Sequence, residues 1–93
     1  MSFRVQYKKK VEKQINKLPK KINRRLFALI ADLEDMGPVR RNWPKYSKLG
    51  KMKGGSVKHH CHLHHSWVAC WTHTEETILI EVYYVGSRES APY

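Results

Sequence analysis

The histidines of this chain are concentrated in one short stretch. Ser56 to Trp71 reads S-V-K-H-H-C-H-L-H-H-S-W-V-A-C-W and contains five of the six histidines. Two β-strands joined by a tight connection would place alternate residues on opposite faces, with Val57, Cys61 and Leu63 on one face and Lys58, His60, His62 and His64 on the other. A row of imidazoles beside a lysine suits acid–base chemistry, metal binding, phosphate contact or a solvated sheet face.

His60 and His62 have a spacing that suits RNA cleavage. Residues two apart on a strand leave the same face about 6–7 Å apart, which spans a phosphate group. RNA is cleaved when its 2′-hydroxyl attacks the adjacent phosphorus. The catalyst removes one proton, supplies another to the leaving 5′-oxygen and neutralises charge on the phosphate. Histidine can act as base or acid near neutral pH, so this chemistry needs no metal or other cofactor.

The same stretch offers enough nitrogen and sulfur donors for zinc. Alternate ligands on one strand need a further ligand from elsewhere, and the paired C-x-x-C or H-x₃₋₅-H spacing is absent. We therefore expect no physiological metal site, and only adventitious metal capture in vitro.

The charge of the chain favours a polyanionic partner. The formal net charge is +10, and 17 of the 18 lysines and arginines lie at or before Lys58, with Arg88 the only later one. A basic body of this kind suits nucleic acid, although net charge alone also fits a merely soluble, positively charged surface.

The segment 39–55 combines basic and aromatic residues without a clear period. Lys48, Lys51 and Lys53 follow Trp43 and Tyr46, and such interleaving suits phosphate contact with base stacking on a flexible loop. The alternative is a connecting loop that Trp43 fixes to the core. The two interpretations are compatible.

The remaining periodicities predict the elements that must position these residues. Alternation over 3–7 indicates a strand, and helical spacing indicates a short helix from Lys9 that Pro19 stops and a second from about Lys20 to Met36. The apolar segment 77–85 indicates a strand inside the sheet. We predict one α+β domain over 1–93, in the order β-α-α-β-β-β, with the helical hairpin on one face of a mostly antiparallel sheet. The pairing of the first strand stays open.

The sequence predicts a cytoplasmic protein. No apolar run approaches the ~20 residues of a membrane span, and the N-terminus lacks a signal-peptide hydrophobic region. Cys61 and Cys70 both fall inside predicted strands, where buried thiols are common in a reducing compartment, and a disulfide between neighbouring strands is the alternative.

The order of elements and several motifs together resemble the RelE/ParE superfamily of bacterial toxins. The resemblance spans nearly the whole chain: a first strand, a helical hairpin with a Leu-Pro break, the basic segment K-L-G-K-M-K-G, three strands, and the terminal Y-Y-V-G-S-R-E-S-A-P-Y. Its most specific parts are V-G-S-R-E and the histidine-bearing strand followed by W-V-A-C-W. Members resembling this arrangement are mostly messenger-RNA endoribonucleases that act on the ribosome and are silenced by an antitoxin, and a minority branch poisons DNA gyrase.

The resemblance also suggests roles for individual residues. Arg88 stands where the family places an arginine that stabilises the scissile phosphate, and Tyr93 stands near a C-terminal aromatic that contacts the substrate base. His60 and His62 fall where many members carry lysines and several carry histidines. Where the third strand of the family often supplies another arginine, the nearest residue is Trp67, so phosphate stabilisation rests on Arg88 and Lys58.

These observations predict a toxin of a type II toxin–antitoxin system that cuts mRNA, ribosome-dependently, by metal-free 2′-hydroxyl attack. Its expected partners are an antitoxin, mRNA and the ribosome, with no membrane. The alternative is a protein of the same fold that is no nuclease, either a gyrase-poisoning toxin or a catalytically weak RNA-binding module. The predicted residues are His60, His62, Arg88 and Tyr93 for catalysis and Lys48, Lys51, Lys53 and Lys58 for RNA binding.

Overall fold

The computed structural model describes residues 2–52 and 54–92. Two of the predicted site residues, Lys53 and Tyr93, lie outside the described residues. In chain order the elements are β1 (Arg4–Tyr7), α1 (Lys9–Asn16), α2 (Lys20–Met36), β2 (Ser47–Lys51), β3 (Ser56–His64), β4 (Trp67–Thr74), β5 (Leu79–Ser87) and a short 3₁₀ helix, Arg88–Ser90. The α+β class and the helical hairpin on one face of the sheet are confirmed.

The strands form one mixed sheet in the order β1-β5-β4-β3-β2. Strands β2 to β5 pair antiparallel with their neighbours. Strand β1 pairs parallel with β5. The helical hairpin after β1 carries the chain to the opposite edge of the sheet, where β2 begins, so that the last strand, β5, comes to lie beside β1. This settles the pairing that the sequence leaves open.

One strand is missing from the sequence prediction. The segment 47–51 was expected to be part of a flexible basic loop, but it forms β2 and pairs with β3. It has no alternating pattern because it is an edge strand with an irregularity between Lys48 and Gly50, where the register with β3 shifts. Edge strands carry charges and bulges rather than a regular apolar face.

The core lies between the two helices and one face of the sheet, here called the helix face. The buried face of α2 contributes Ile22, Leu26, Leu29, Ile30 and Leu33. Cys61 and Leu63 of β3, Trp71 of β4 and Ile80 and Val82 of β5 meet them from the sheet. The opposite face is here called the open face. Its apolar floor is a second cluster, formed by Val68, Cys70, Tyr83 and Tyr84, against which Ala91 packs.

The helix boundaries follow from local chemistry. Pro19 is the N-cap of α2, with its φ at −55°, a value that proline imposes and that separates the two helices at the Leu-Pro break. At the other end Gly37 has φ +94°, a conformation that favours glycine, and its N–H bonds to the carbonyl oxygen of Leu33. The guanidinium of Arg40 then donates to the carbonyl oxygens of Met36 and Gly37. This buried cation lies at the C-terminus of α2, where positive charge is favourable for the helix dipole.

Candidate active site

Lys58, His60 and His62 lie together on the open face, as the alternation predicts. The register pairs His60 with Cys70, which in turn pairs with Tyr84, and it pairs His62 with Val68. The partners belong to the apolar floor of that face. The ring centroids of His60 and His62 are 6.0 Å apart, in agreement with the spacing expected from the strand.

His64 does not extend this row. The register shifts between His62 and His64, and His64 pairs with Trp67, whose side chain packs against the core on the helix face. An extra residue in one strand reverses the alternation, so His64 turns toward the helix face. Desolvation, and then the charges of His65, Lys21 and Arg25, lower the pKa of His64. The expectation that His64 shares a face with His60 and His62 is therefore wrong.

His62 is held at both its backbone and its ring. Its backbone N–H donates to the carbonyl oxygen of Pro44 at 2.8 Å, and its Nδ1 lies 2.6 Å from the carbonyl oxygen of His65. A carbonyl oxygen only accepts, so Nδ1 carries the proton and Nε2 is the atom that gains or loses one. His62 is 7% exposed, so its ring has little freedom to turn. The hydrogen bond to His65 therefore holds the ring in one orientation.

His60 has different surroundings. Its Nδ1 lies 2.9 Å from the hydroxyl oxygen of Ser47 on β2, a contact that exists because segment 47–51 is a strand. Burial lowers the pKa of His60, a backbone hydrogen bond with Ser47 raises it, and the charge of His62 lowers it, so that the net shift is downward.

The cationic residues surround this pair unevenly. Lys58 lies two residues before His60 on the same face, with its Nζ 5.8 Å from the centroid of the Tyr83 ring. Arg88 follows β5 directly, and its backbone N–H bonds to the carbonyl oxygen of Ser66 at 2.6 Å. Its side chain is exposed, and its guanidinium makes no hydrogen bond or salt bridge with residues 2–52 or 54–92. The 3₁₀ helix thereby keeps a cation at the end of the sheet nearest His62.

Lys48 and Lys51 are less clearly part of the site. In the register they pair with His59 and Val57, which belong to the helix-face side of β3, and Lys51 Nζ lies 3.7 Å from a carboxylate oxygen of Glu75. Both side chains remain exposed at the sheet edge. Their proposed role in RNA binding rests on that edge exposure.

The histidines and the cysteine of segment 59–65 do not form a metal centre in the part of the chain that the structure describes. No three His, Cys, Asp or Glu side chains within 2–52 and 54–92 are grouped closely enough to hold an ion. The strand separates the donors, since His59 and Cys61 point to the helix face while His60 and His62 point to the open face. Both cysteines are buried free thiols, and burial raises the pKa of Cys70 to about 11.

Three residues near the site were missed by sequence reasoning. Ser47 lies in segment 39–55, which the sequence indicated to be a loop. Glu81 and Tyr83 lay inside an apolar run that read as buried on both faces. A register shift between Cys70 and Trp71 places both Tyr83 and Tyr84 on the open face, which strict alternation does not predict. Trp67 and Trp71, by contrast, pack on the helix face as core residues, so Trp67 takes no part in the open face.

The fold is that of RelE-like toxins, and the resemblance drawn from the sequence is confirmed at this level. The chain is similar to the archaeal RelE of Pyrococcus horikoshii, solved in complex with RelB, with a TM-score of 0.80 and 23% identity, covering 98% of this chain and 100% of that one. It is also similar to YoeB of Staphylococcus aureus, solved as a dimer, with a TM-score of 0.65, 14% identity and coverage of 91% and 95%.

A third similar structure is the free RelE toxin of Escherichia coli carrying two arginine-to-alanine substitutions. Its TM-score is 0.59 at 15% identity, covering 98% of this chain and 88% of that one. No protein-family model and no curated protein matches the sequence. Among the described residues, no helix is long and apolar enough to span a membrane.

Proposed function

We propose that this protein is the toxin of a toxin–antitoxin pair and an endoribonuclease that cuts mRNA. The observation that carries the proposal is the pair His60 and His62, held with ring centroids 6.0 Å apart on the open face, with the Nδ1 proton of His62 fixed by a backbone carbonyl. The RelE-like fold supports it, because the three similar structures are RelE and YoeB proteins.

In this mechanism His60 is the base and His62 the acid. Its lowered pKa keeps His60 neutral near pH 7, so it can take the proton of the 2′-hydroxyl. The 2′-oxygen attacks phosphorus, a 2′,3′-cyclic phosphate forms, and the bond to the 5′-oxygen breaks. His62 donates the proton on Nε2 to that oxygen. His60 is then protonated and His62 is neutral. Proton exchange with water returns both rings to their starting states.

The cations would stabilise the charge that develops on the phosphate. Arg88 offers a fixed fork of donors to two phosphate oxygens, and Lys58 adds a point charge two residues from His60. By resemblance to the family, Tyr93 would contact the substrate base, and Lys48, Lys51 and Lys53 would bind neighbouring phosphates at the β2 edge.

The partners and the setting follow from the fold as proposals. The structure of archaeal RelE with RelB supports an antitoxin that covers this toxin's basic surface. Action on mRNA at the ribosome in the cytoplasm is the setting in which such a toxin would work.

The proposal is tested with His60→Ala, His62→Ala and Arg88→Ala. Each should abolish growth inhibition on induction and transcript cleavage in a translating extract, read by primer extension, while circular dichroism stays unchanged. The matched control is His65→Asn: His65 holds the His62 ring through its backbone carbonyl, which asparagine retains. Asparagine also tolerates the φ of +48° at that position, so cleavage should persist. Cleavage that survives all three alanine variants would refute the site, and growth inhibition without RNA cleavage would favour a non-nuclease toxin.

The pH profile and a chelator test the chemistry. The cleavage rate should be bell-shaped, rising through the pKa of His60, below its ordinary value of 6.5, because the base must be neutral. It should fall again at higher pH as the acid loses its proton. EDTA should leave the rate unchanged, and a loss of rate that zinc restores would overturn the metal-free mechanism.

A further inference from the structure

Ser47, the first residue of β2, faces the proposed catalytic base. The register pairs Ser47 directly with His60, and the side chains of directly opposed residues share one face, with their Cβ atoms about 4.5–5.5 Å apart. The hydroxyl oxygen of this half-buried serine lies 2.9 Å from Nδ1 of His60, which is hydrogen-bonding distance. Ser47 thus contacts the imidazole at the atom that decides which ring nitrogen can act as the base.

The residues just before Ser47 are anchored to the histidine-bearing strand. The carbonyl oxygen of Pro44 accepts from the backbone N–H of His62 at 2.8 Å, and the hydroxyl of Tyr46 lies 2.7 Å from Nδ1 of His59. These contacts fix the chain before β2, and the pairing with β3 fixes it afterwards. A group supported on both sides and carried by a strand is held more precisely than one on a loop. The Ser47 hydroxyl is therefore preorganised opposite the proposed base.

The direction of this hydrogen bond decides what His60 can do. A neutral imidazole carries one proton, so one ring nitrogen donates and the other accepts. If Nδ1 carries the proton and donates to the Ser47 hydroxyl, the lone pair is on Nε2, which can take the proton of the 2′-hydroxyl. If the hydroxyl donates to Nδ1 instead, the proton is on Nε2, and that nitrogen cannot act as a base.

The backbone of Ser47 indicates the direction. Its hydrogen bond with His60 raises the pKa of the ring, which is the effect of an acceptor, because an acceptor stabilises the protonated form. The acceptor of a backbone is its carbonyl oxygen, so a ring N–H of His60 points toward Ser47. The ring of His62 is arranged in the same way, with its Nδ1 2.6 Å from the carbonyl oxygen of His65.

We propose that Ser47 is a positioning residue for the proposed catalytic base: its hydroxyl accepts a hydrogen bond from Nδ1–H of His60 and so holds the ring in the tautomer in which Nε2 removes the 2′-hydroxyl proton. The catalytic part of this assignment rests on the RNA-cleaving function proposed above. In this role Ser47 contacts His60 and not the reacting atoms. It keeps the neutral ring in one tautomer and one orientation.

The tautomer is measured without RNA. In long-range proton–nitrogen correlation spectra at about pH 8, where a histidine of ordinary or lowered pKa is neutral, the nitrogen shifts show which ring nitrogen carries the proton. His60, assigned by the loss of its signals in His60→Ala, should be in the Nδ1–H form. Ser47→Ala should shift it toward the Nε2–H form. In the same spectrum His62 should stay in its Nδ1–H form, because the carbonyl of His65 still holds it.

The catalytic measurement separates positioning from folding. With circular dichroism unchanged, Ser47→Ala should lower kcat for transcript cleavage by about three- to tenfold, the size of one hydrogen bond between neutral groups, and leave KM unchanged. Loss of an acceptor disfavours the protonated ring of His60, so the acidic limb of the pH profile should move to lower pH. Ser47→Thr keeps the hydroxyl on a strand, where β-branched residues are favoured, and should restore the tautomer, kcat and the profile.

Ser47→Ala changes no titratable group around His60. Those on the neighbouring strands are Lys58 and His62 on β3, Cys70 on β4, and Tyr83 and Tyr84 on β5. All of them remain in the variant, so a moved limb reports the lost hydroxyl. The matched control is Ser56→Ala, which removes the hydroxyl of another half-buried strand serine, paired with Thr74. It should keep the native tautomer of His60 and the native kcat.

The positioning role and the RNA-cleaving function fail separately. Native His60 in the Nε2–H form would overturn the role of Ser47, and this result does not require any variant to fold. Cleavage that is lost in His60→Ala but has a native kcat in Ser47→Ala would overturn that role alone. An Nδ1–H ring that depends on Ser47, in a protein that cuts no RNA, would overturn the RNA-cleaving function and leave the hydrogen bond established.

Discussion

His59 and His60 are neighbours in the chain with opposite surroundings. The side chain of His59 is 2% exposed and lies on the helix face, where its ring stacks 5.8 Å from that of Trp71. Its Nδ1 is 2.7 Å from the hydroxyl of Tyr46, and its buried Nε2 has no hydrogen-bond partner within residues 2–52 and 54–92. One residue of displacement along a strand thus separates a packed, neutral imidazole from a candidate base.

His59 should make stability depend on pH. Burial, and then the charges of Lys48 and His73, lower its pKa from 6.5 to about 4. Below pH 6.5 the unfolded chain therefore binds a proton that the folded protein excludes, so the free energy of unfolding falls as the pH drops from 6.5 to 4. The full shift corresponds to about 3 kcal/mol. Urea unfolding at several pH values measures this slope.

His59→Phe is the informative variant for this effect. It keeps an aromatic ring beside Trp71 but has no ionisable group, so the slope between pH 6.5 and 4 should become shallower by the contribution of one proton. His65→Asn, which replaces an exposed histidine, should retain the native slope. An unchanged slope in His59→Phe would show that another group governs acid stability.

At the scale of elements, α2 fixes the segment that leads into β2. The carboxylate of Asp32 accepts hydrogen bonds from Nε1 of Trp43 at 2.8 Å and from Nδ2 of Asn42 at 3.3 Å. Acidic residues near a helix C-terminus oppose the macrodipole, and this contact explains why one is nevertheless placed there. The segment it holds includes Pro44, whose carbonyl accepts from the N–H of His62.

Asp32→Ala should therefore destabilise the protein and weaken the site. Loss of the acceptor leaves the largely buried indole N–H of Trp43 without its partner, a cost of about 1–3 kcal/mol. The midpoint of urea unfolding should fall with little change in slope. Asp35→Ala, at an exposed position of α2 that makes no hydrogen bond with the described residues, should have little effect. Equal midpoints for the two variants would contradict this role of Asp32.

For the whole molecule, the question is which of the many positive charges meet RNA. The chain carries 18 lysines and arginines, and they are found on both faces and at the sheet edges. Those on the outer faces of α1 and α2 lie on the opposite side of the sheet from His60 and His62, apart from Lys10 in the first turn of α1, which shares a cavity with Lys58. The open face and the β2 edge are therefore the surfaces that should determine RNA affinity.

The salt dependence of RNA binding separates these surfaces. Affinity should fall steeply with salt, and Lys58→Gln should reduce the log–log slope by about 0.7, the value for one phosphate contact on a single strand. The combined Lys48, Lys51 and Lys53 to Gln variant should reduce it further if the β2 edge contacts phosphate. Lys13→Gln, on the exposed side of α1, should leave the slope unchanged. A slope insensitive to Lys58→Gln would remove that lysine from the interface.

Much of this architecture could be predicted because its determinants are local. The bounds of α2, Lys20 to Met36, follow from Pro19 before it and Gly37 after it, and the turn at His65 follows from the clustered polar residues there. The 6.0 Å separation of the His60 and His62 rings follows from strand geometry alone. These features depend on neighbours within a few residues, which the sequence displays directly.

The rest was decided by contacts between distant parts of the chain. The sequence determined the class of fold, the helices and the shared face of His60 and His62, since helical and strand periodicities are properties of short segments. Tertiary structure decided that segment 47–51 is a strand, that β1 joins β5, and that irregular registers turn His64 away and bring Tyr83 onto the open face. A bulge or an edge pairing depends on the partner strand, and so does the meeting of Ser47 with His60, because no local pattern encodes which strands become neighbours.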